Sequence, residues 1–383
     1  VATRSIGIVL NGVTGRMGYR QHLVRSILAI REQGGLRMPD GSRLLPDPIL
    51  VGRNATRLEE IATTHGLNRW TTDLDQALAE PDVEVYFDAQ VTEARDKAIR
   101  TALESGKHVY TEKPLGQTLE EALDLARLAR DSRLTTGIVQ DKLFLPGLIK
   151  LRRLIEGGFF GQILSVRGEF GYWVFEGDWQ EAQRPSWNYR REAGGGIVLD
   201  MFCHWSYVLE TLFGPVEAVT AKAVTHRPER WDEHGQPYPA TADDAAYAIF
   251  ELAGGVIAQV NSSWCVRVHR DELVEFQVDG VLGSAVAGLR ECRVQHRAMT
   301  PMPTWNPDLP VTERFRDQWQ LVPDNAEFDN GFKVQWEQFL VAVCTGQPYP
   351  YDFLAGARGV QLAEAGLLSS DQGRRVALEA VRL

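Results

Sequence analysis

The feature that most constrains this chain is a turn, Gly12-Val13-Thr14-Gly15-Arg16-Met17-Gly18. It lies between a β-branched and apolar run at residues 5–11 (SIGIVLN) and a helical pattern from Met17 to about Arg31. An apolar run that stops at glycine reads as a buried parallel strand. Glycines at three-residue steps permit a tight turn and let backbone N–H groups approach a pyrophosphate, and the helix N-terminus adds partial positive charge. The spacing is G-x-x-G-x-x-G, with Asn11 where the first glycine of the commoner G-x-G-x-x-G would fall. A plain strand-to-helix turn would use the same residues, but the position after the first strand favours a phosphate cradle.

The alternation continues. A polar stretch rich in Gly and Pro (GGLRMPDGSRLLPDP) reads as an inserted loop before a second strand at 49–51. Helices are expected at 56–65, 92–105 and 118–130, and strands at 83–87, 108–110 and 135–139. Strands alternating with helices imply βαβ units and a parallel sheet. Residues 1–140 are therefore expected to form a doubly wound α/β dinucleotide-binding domain. After a helix at 146–155, period-2 patterns take over, at 162–173, 216–223, 245–252, 256–264, 272–279 and 284–295. Two helices, at 332–344 and 353–370, close the chain. Residues 141–383 are expected to form an α+β domain with a large open, mostly antiparallel sheet.

Composition then removes whole classes of function. A length of 383 residues accommodates two domains. The net charge of −10 argues against a nucleic-acid partner, which usually meets a basic field. No uncharged stretch is long enough to span a bilayer, so no membrane role is expected. The opening VATRSIGIVLNG runs straight into a strand pattern without the zones of a secretory signal. Cys203, Cys265, Cys292 and Cys344 are scattered, with no C-x-x-C pair, so neither a disulfide framework nor a metal site is indicated. A cytoplasmic location is the expectation.

The tip of the second strand bears on the cofactor. A carboxylate there accepts the ribose hydroxyls of NAD, whereas an arginine without one accommodates the 2′-phosphate of NADP. Here the residues are Ile49-Leu50-Val51-Gly52-Arg53-Asn54, with no acid at the tip. Arg53, with Arg16 on the first turn, favours NADP over NAD; otherwise Arg53 is a solvated loop residue.

Glu112-Lys113-Pro114 follows the strand at 108–110, at the carboxyl edge where a parallel sheet binds ligands. Only seven of the 41 basic residues are lysines, which draws attention to Lys113 and Lys142. Further on, Gly194-Gly195-Gly196 precedes Asp200 and His204, four apart in a helical pattern and so on one face. An E-K-P tripeptide with G-G-G-x-x-x-D-x-x-x-H resembles the Gfo/Idh/MocA family of nicotinamide-dependent oxidoreductases. The likeness extends to Trp336-Glu337-Gln338-Phe339 and the closing helices. It implies an N-terminal Rossmann domain, a C-terminal domain for substrate and oligomer contacts, and a homodimer or homotetramer. It also implies that Lys113 points at the substrate hydroxyl near the nicotinamide, that Asp200 holds substrate hydroxyls, and that His204 accepts the proton. The chemistry is sound, since removing hydride from a secondary alcohol requires loss of the hydroxyl proton, which a His or a buried Lys can receive. The cofactor contacts implied are Gly12, Gly15, Arg16, Met17, Gly18, Arg53, Gln90, Glu112 and Lys113. In two places the sequence departs from the family. Phe87-Asp88-Ala89-Gln90-Val91-Thr92 replaces the usual small residue and proline, and Phe202 replaces a glycine, implying a bulkier pocket floor.

Lys142 leaves the last strand of the first domain, and Trp173, Trp187 and Arg190 cluster before the glycine triplet. Aromatic faces beside donors suit a sugar ring, although these aromatics would serve equally as core of the second domain. The function expected is hydride transfer between NAD(P) and a hydroxyl or carbonyl carbon of a sugar, sugar derivative or polyol. An alternative is an NAD-dependent glycoside hydrolase that oxidises its sugar transiently. A third is a non-catalytic dinucleotide sensor, which the intact Lys113, Asp200 and His204 disfavour.

Overall fold

The computed structural model describes residues 2–383, which divide into two compact units. One runs to Phe144 and takes in Asp329–Glu364 and Ala380–Leu383; the other is Leu145–Phe328 with Ala365–Glu379.

In the first unit a sheet of seven strands, among the described residues, runs in the order Leu36–Arg37, Arg43–Val51, Thr3–Asn11, Val83–Asp88, His108–Thr111, Thr136–Ile138. Trp70–Thr71 also pairs with Arg43–Val51, and every pairing except that of Leu36–Arg37 is parallel. Chain order reverses between Thr3–Asn11 and Val83–Asp88, which creates the crevice where such sheets take ligands. Ile6, Ile8 and Leu10 on one face and Val9 on the other are all but inaccessible, as a parallel strand covered on both faces requires. The helical pattern from Met17 is observed, but residues Gly18–Leu28 form a π-helix rather than an α-helix.

Two expectations need correction here. The stretch read as an inserted loop ends at Ser42, because the second strand starts at Arg43 and runs through Pro46 and Pro48. Its outer neighbours pair only at Arg43–Leu44 and Leu50–Val51. Two prolines two residues apart direct their missing N–H groups to one edge, so the unpaired length between tolerates both. The expected domain division after residue 140 also misplaces the chain's end. Residues Asp329–Glu364 belong to the first unit, where Trp336, Phe339 and Leu340 of the helix Gly331–Thr345 join Leu10, Leu23 and Phe87 in one core.

The second unit is built on a nine-stranded sheet, among the described residues, that is antiparallel except where Ile163–Gly171 meets Ile257–Ser263. The run expected at 284–295 is two strands, Gly283–Ala287 and Cys292–His296, which pair antiparallel. Against the sheet lies the helix Ile197–Phe213, buried along most of its length. Trp205 within it donates its indole N–H to Ser262 Oγ at 2.9 Å.

Candidate active site

The glycine turn of the first unit has the three distinct requirements a dinucleotide cradle needs. Gly12 has φ +83°, and a Cβ there would lie 2.7 Å from Ala89 backbone atoms of the neighbouring strand's exit. A Cβ on Gly18 would meet the Gly12 carbonyl oxygen at 2.5 Å, so close packing of helix on turn excludes any side chain. Gly15 is exposed, and a Cβ there would meet only Gly12 O, at 3.3 Å. That leaves an open backbone surface at a helix start whose first-turn N–H groups have no partner within the helix. Arg16 and Arg53 are exposed, Met17 is half-buried, and Arg53 has no ion-pair partner among the described residues. Gln90 Oε1 is buried without a hydrogen-bond partner among the described residues, an acceptor available to a bound group. These residues fit a nicotinamide dinucleotide.

The departure at 87–92 acquires a structural reason. Asp88 is wholly buried and accepts from Arg95 Nε at 3.1 Å, from the Gln90 backbone N–H at 3.1 Å and from Tyr86 Oη at 2.6 Å. Tyr86 Oη in turn accepts from Asn11 Nδ2 at 3.0 Å. Arg95, itself 2% exposed, also donates to the carbonyls of Gln90 and Pro114. One buried ion pair thus ties the nucleotide turn, the Gln90 loop and the E-K-P turn together. Burial pushes the Asp88 carboxyl above its ordinary value, against the pull of the Arg95 charge.

In the E-K-P turn the Lys113–Pro114 peptide is cis. Glu112 is buried, accepting from His22 Nε2 at 2.9 Å through Oε1 and from the Lys113 backbone N–H at 3.2 Å through Oε2. Burial opposes its ionisation, but the His22 hydrogen bond and the nearby Lys113 and Arg95 charges prevail and hold the carboxyl below its ordinary value. Lys113 is half-buried. Lys142 forms an ion pair with its neighbour Asp141 at 3.1 Å.

In the second unit the glycine triplet aims the helix Ile197–Phe213. Gly194 and Gly196 have φ +74° and +119°, and a Cβ on Gly195 would lie 2.5 Å from the Trp187 carbonyl oxygen. Asp243 then caps the helix, its Oδ2 accepting from the Val198 N–H at 2.7 Å. Asp200, His204 and Tyr207 follow at i, i+4 and i+7, sharing a face. His204 is 6% exposed, and its Nδ1 lies 2.7 Å from Tyr207 Oη. Asp200 Oδ2 meets Arg184 Nη1 at 3.3 Å. Arg184 also donates to Tyr172 Oη at 3.1 Å, and its guanidinium stacks 4.4 Å from the Trp264 ring centroid.

The aromatic and basic candidates are placed unevenly. Tyr172, which was not expected, reaches Arg184; Trp173 beside it lies under the Arg267 guanidinium at 4.2 Å and lines a cleft with Phe175 and Trp179. Arg190 stacks on Tyr238 at 4.4 Å. Trp187 is half-buried in the 3₁₀ turn Ser186–Tyr189, its carbonyl packed against Gly195. The bulky pocket floor expected from Phe202 is corrected. That ring is fully buried against Phe250, and a Cβ on Gly366 would lie 2.5 Å from it. Standing two residues past Asp200, Phe202 faces the core and not the Asp200 face.

Sequence reasoning missed Arg184, Tyr172, Tyr207, His22 and Arg95. Only Tyr207 had a local signal, its i+3 spacing from His204. Among the described residues no group of three or more His, Cys, Asp or Glu is placed to hold a metal ion, and no helix is long and apolar enough to cross a membrane.

Two family models match the chain: an oxidoreductase family with an NAD-binding Rossmann fold over residues 48–138, and the GFO/IDH/MocA C-terminal domain over residues 148–286. A D-xylose dehydrogenase of Paenarthrobacter nicotinovorans is 59% identical over 385 residues, covering 100% of this chain and 99% of that protein. A levoglucosan dehydrogenase of Pseudarthrobacter phenanthrenivorans is 26% identical over 255 residues, 62% of this chain and 64% of that protein. Among solved structures, a levoglucosan dehydrogenase in complex with NADH and L-sorbose superposes with a TM-score of 0.80 at 22% identity, over 98% of this chain and 99% of that one. At that identity the likeness speaks for the fold.

Proposed function

This chain belongs to the Gfo/Idh/MocA family of oxidoreductases, and from that membership we propose that it oxidises a free sugar, with D-xylose the first candidate, by hydride transfer to a nicotinamide dinucleotide. The observation that carries the reading is the 59% identity, sustained along both whole chains, to a D-xylose dehydrogenase. It also favours net oxidation over the glycosidase alternative.

A dinucleotide held by its pyrophosphate on the glycine turn would supply its nicotinamide ring as the hydride acceptor. The remaining work falls to the chain. Gly12, Gly15 and Gly18, with the Arg16 and Met17 backbone, would hold the pyrophosphate, while Gln90, Glu112 and Lys113 line the same sheet edge. Arg53 would take a 2′-phosphate, so NADP is proposed to bind at least as well as NAD.

Lys113 is assigned to hold the hydroxyl being oxidised and His204 to take its proton. For His204 to accept through Nε2, its Nδ1 must carry the hydrogen and donate to Tyr207 Oη. Asp200 is assigned to accept hydrogen bonds from other sugar hydroxyls. Its pairing with the Arg184 guanidinium suits it to accepting bonds rather than taking the proton. Lys142, Trp173, Trp187 and Arg190 remain candidates for substrate contact, with weaker support, since Arg190 and Trp173 are already engaged in stacking.

The outer face of the second sheet presents Tyr247, Ile249 and Ile257, each more than two-fifths exposed. A homodimer or homotetramer formed through that face is part of the proposal, and sedimentation of wild type against Ile249→Lys by analytical ultracentrifugation tests it.

The main test is a sugar panel with D-xylose, using NAD⁺ and NADP⁺ separately. Absorbance at the reduced-nicotinamide band should rise in proportion to oxidised sugar. A flat signal while a xyloside releases free sugar would reject the reading in favour of the hydrolase.

A further inference from the structure

His22 lies in the π-helix Gly18–Leu28, an irregularity that recurs at functional sites, and its side chain is wholly buried. Both ring nitrogens are engaged. Trp336 Nε1 approaches His22 Nδ1 at 3.0 Å, and His22 Nε2 lies 2.9 Å from Glu112 Oε1. An indole N–H only donates, so Nδ1 must accept, and the ring hydrogen therefore sits on Nε2 and is donated to Glu112. The tautomer is fixed by its neighbours. The ring is also held by packing, with centroids 4.2 Å from Phe87 and 5.2 Å from Phe332. Beyond Glu112 the chain of bonds continues, because Oε2 accepts from the Lys113 backbone N–H.

We propose that His22 is a positioning residue for Lys113: it is the fixed donor that orients the Glu112 carboxylate, which in turn clamps the Lys113 backbone. The inference rests on the catalytic reading of Lys113. A carboxylate with one oxygen pinned by a rigid ring cannot rotate, so its other oxygen stays directed at the Lys113 amide. Without that donor, Glu112 would face Lys113 and Arg95 with its rotation unconstrained. Small displacements of a reacting group are costly, about 10²-fold for about 1 Å.

The test compares full-length His22→Leu, His22→Gln, Glu112→Gln and Lys113→Met. Glutamine can accept from Trp336 and donate to Glu112, as the histidine does, whereas leucine can do neither. Glu112→Gln offers one carbonyl oxygen to two donors, His22 and the Lys113 amide. The expected result is a loss of kcat of about 10- to 100-fold in His22→Leu and Glu112→Gln, with dinucleotide Kd and sugar KM of His22→Leu within about three-fold. His22→Gln should restore most of the kcat, and the His22→Leu/Glu112→Gln double variant should lose no more than either single, as members of one unit do. Wild-type kcat in a folded His22→Leu, failure of glutamine to rescue, or additive losses would overturn the clamp. If His22→Leu does not fold, the Glu112→Gln and His22→Gln results decide alone. Turnover that survives Lys113→Met would overturn the catalytic reading of Lys113 itself, an outcome separable from the others because it appears with the clamp intact.

Discussion

Asp200 does not stand alone on its helix: Oδ2 lies 3.3 Å from Arg184 Nη1, and both side chains are largely withdrawn from solvent. Burial works against the Arg184 charge, but the Asp200 carboxylate together with Tyr172 and Tyr189 outweighs it and holds the guanidinium above its ordinary value. The pair is further anchored by Trp264 beneath Arg184 and by Tyr172 Oη beside it. A carboxylate held in this way has a fixed direction for its remaining lone pairs, which is what recognition of sugar hydroxyls requires.

Arg184→Met should therefore weaken handling of the sugar without disturbing the cofactor. Losing a charge-assisted bond of this kind costs about 1.5–3 kcal/mol, or about 10- to 100-fold in kcat/KM. Arg184→Lys should recover only part of the loss, because an ammonium lacks the planar fork and stacks poorly on Trp264. Steady-state kinetics with dinucleotide titration as a control would check this, and unchanged kcat/KM in Arg184→Met would refute it.

At the nucleotide end, Arg53→Ala should weaken NADP more than NAD, by about 1.5–3 kcal/mol for a lost charge-assisted phosphate contact. Calorimetric titration of both dinucleotides measures the difference directly. Equal losses, or no NADP binding by the wild type, would remove Arg53 from the site.

Lys113→Ala and His204→Ala should each lower kcat by roughly 10²–10⁴-fold, the range of general acid–base assistance, with dinucleotide affinity nearly unchanged. Tyr207→Phe should cost less, about 3- to 30-fold, because it removes only the acceptor that stabilises the Nδ1–H tautomer of His204. A Tyr207→Phe enzyme as impaired as His204→Ala would mean that the tyrosine carries the proton itself.

The lowered Glu112 pKa makes a prediction about stability and pH. A carboxyl whose folded pKa lies below its unfolded one contributes stability above the unfolded value, and that contribution fades as pH falls through the folded one. Urea unfolding of wild type and Glu112→Gln should differ most near neutrality, and the gap should close as pH drops below the ordinary carboxylate range. A gap that stays constant across that interval would show that the carboxylate's charge contributes nothing to folding.

Much of this protein could be read residue by residue. The glycine turn, the E-K-P tripeptide and the G-G-G-x-x-x-D-x-x-x-H segment each depend on short-range geometry. Positive φ at Gly12, Gly194 and Gly196 and one helical turn between Asp200 and His204 are properties of neighbouring residues. Errors arose where a local signal was overridden. Pro46 and Pro48 resemble a loop until the sheet supplies an unpaired edge, and Phe202 resembles a pocket residue until Gly366 supplies its cavity.

What the sequence determined by itself, then, is the succession of strands and helices, the two sheet types and the residues placed at helix starts and strand ends. All of these follow from periodicity and backbone preference over a few residues. Tertiary structure alone decided which side chains support them. His22 and Glu112 are 90 positions apart, Trp336 and His22 are 314 apart, and Arg184 precedes Asp200 by 16 across an irregular segment. No periodicity links such pairs. They meet because burial leaves each polar atom needing a partner, and only the packed chain determines which partner is within reach.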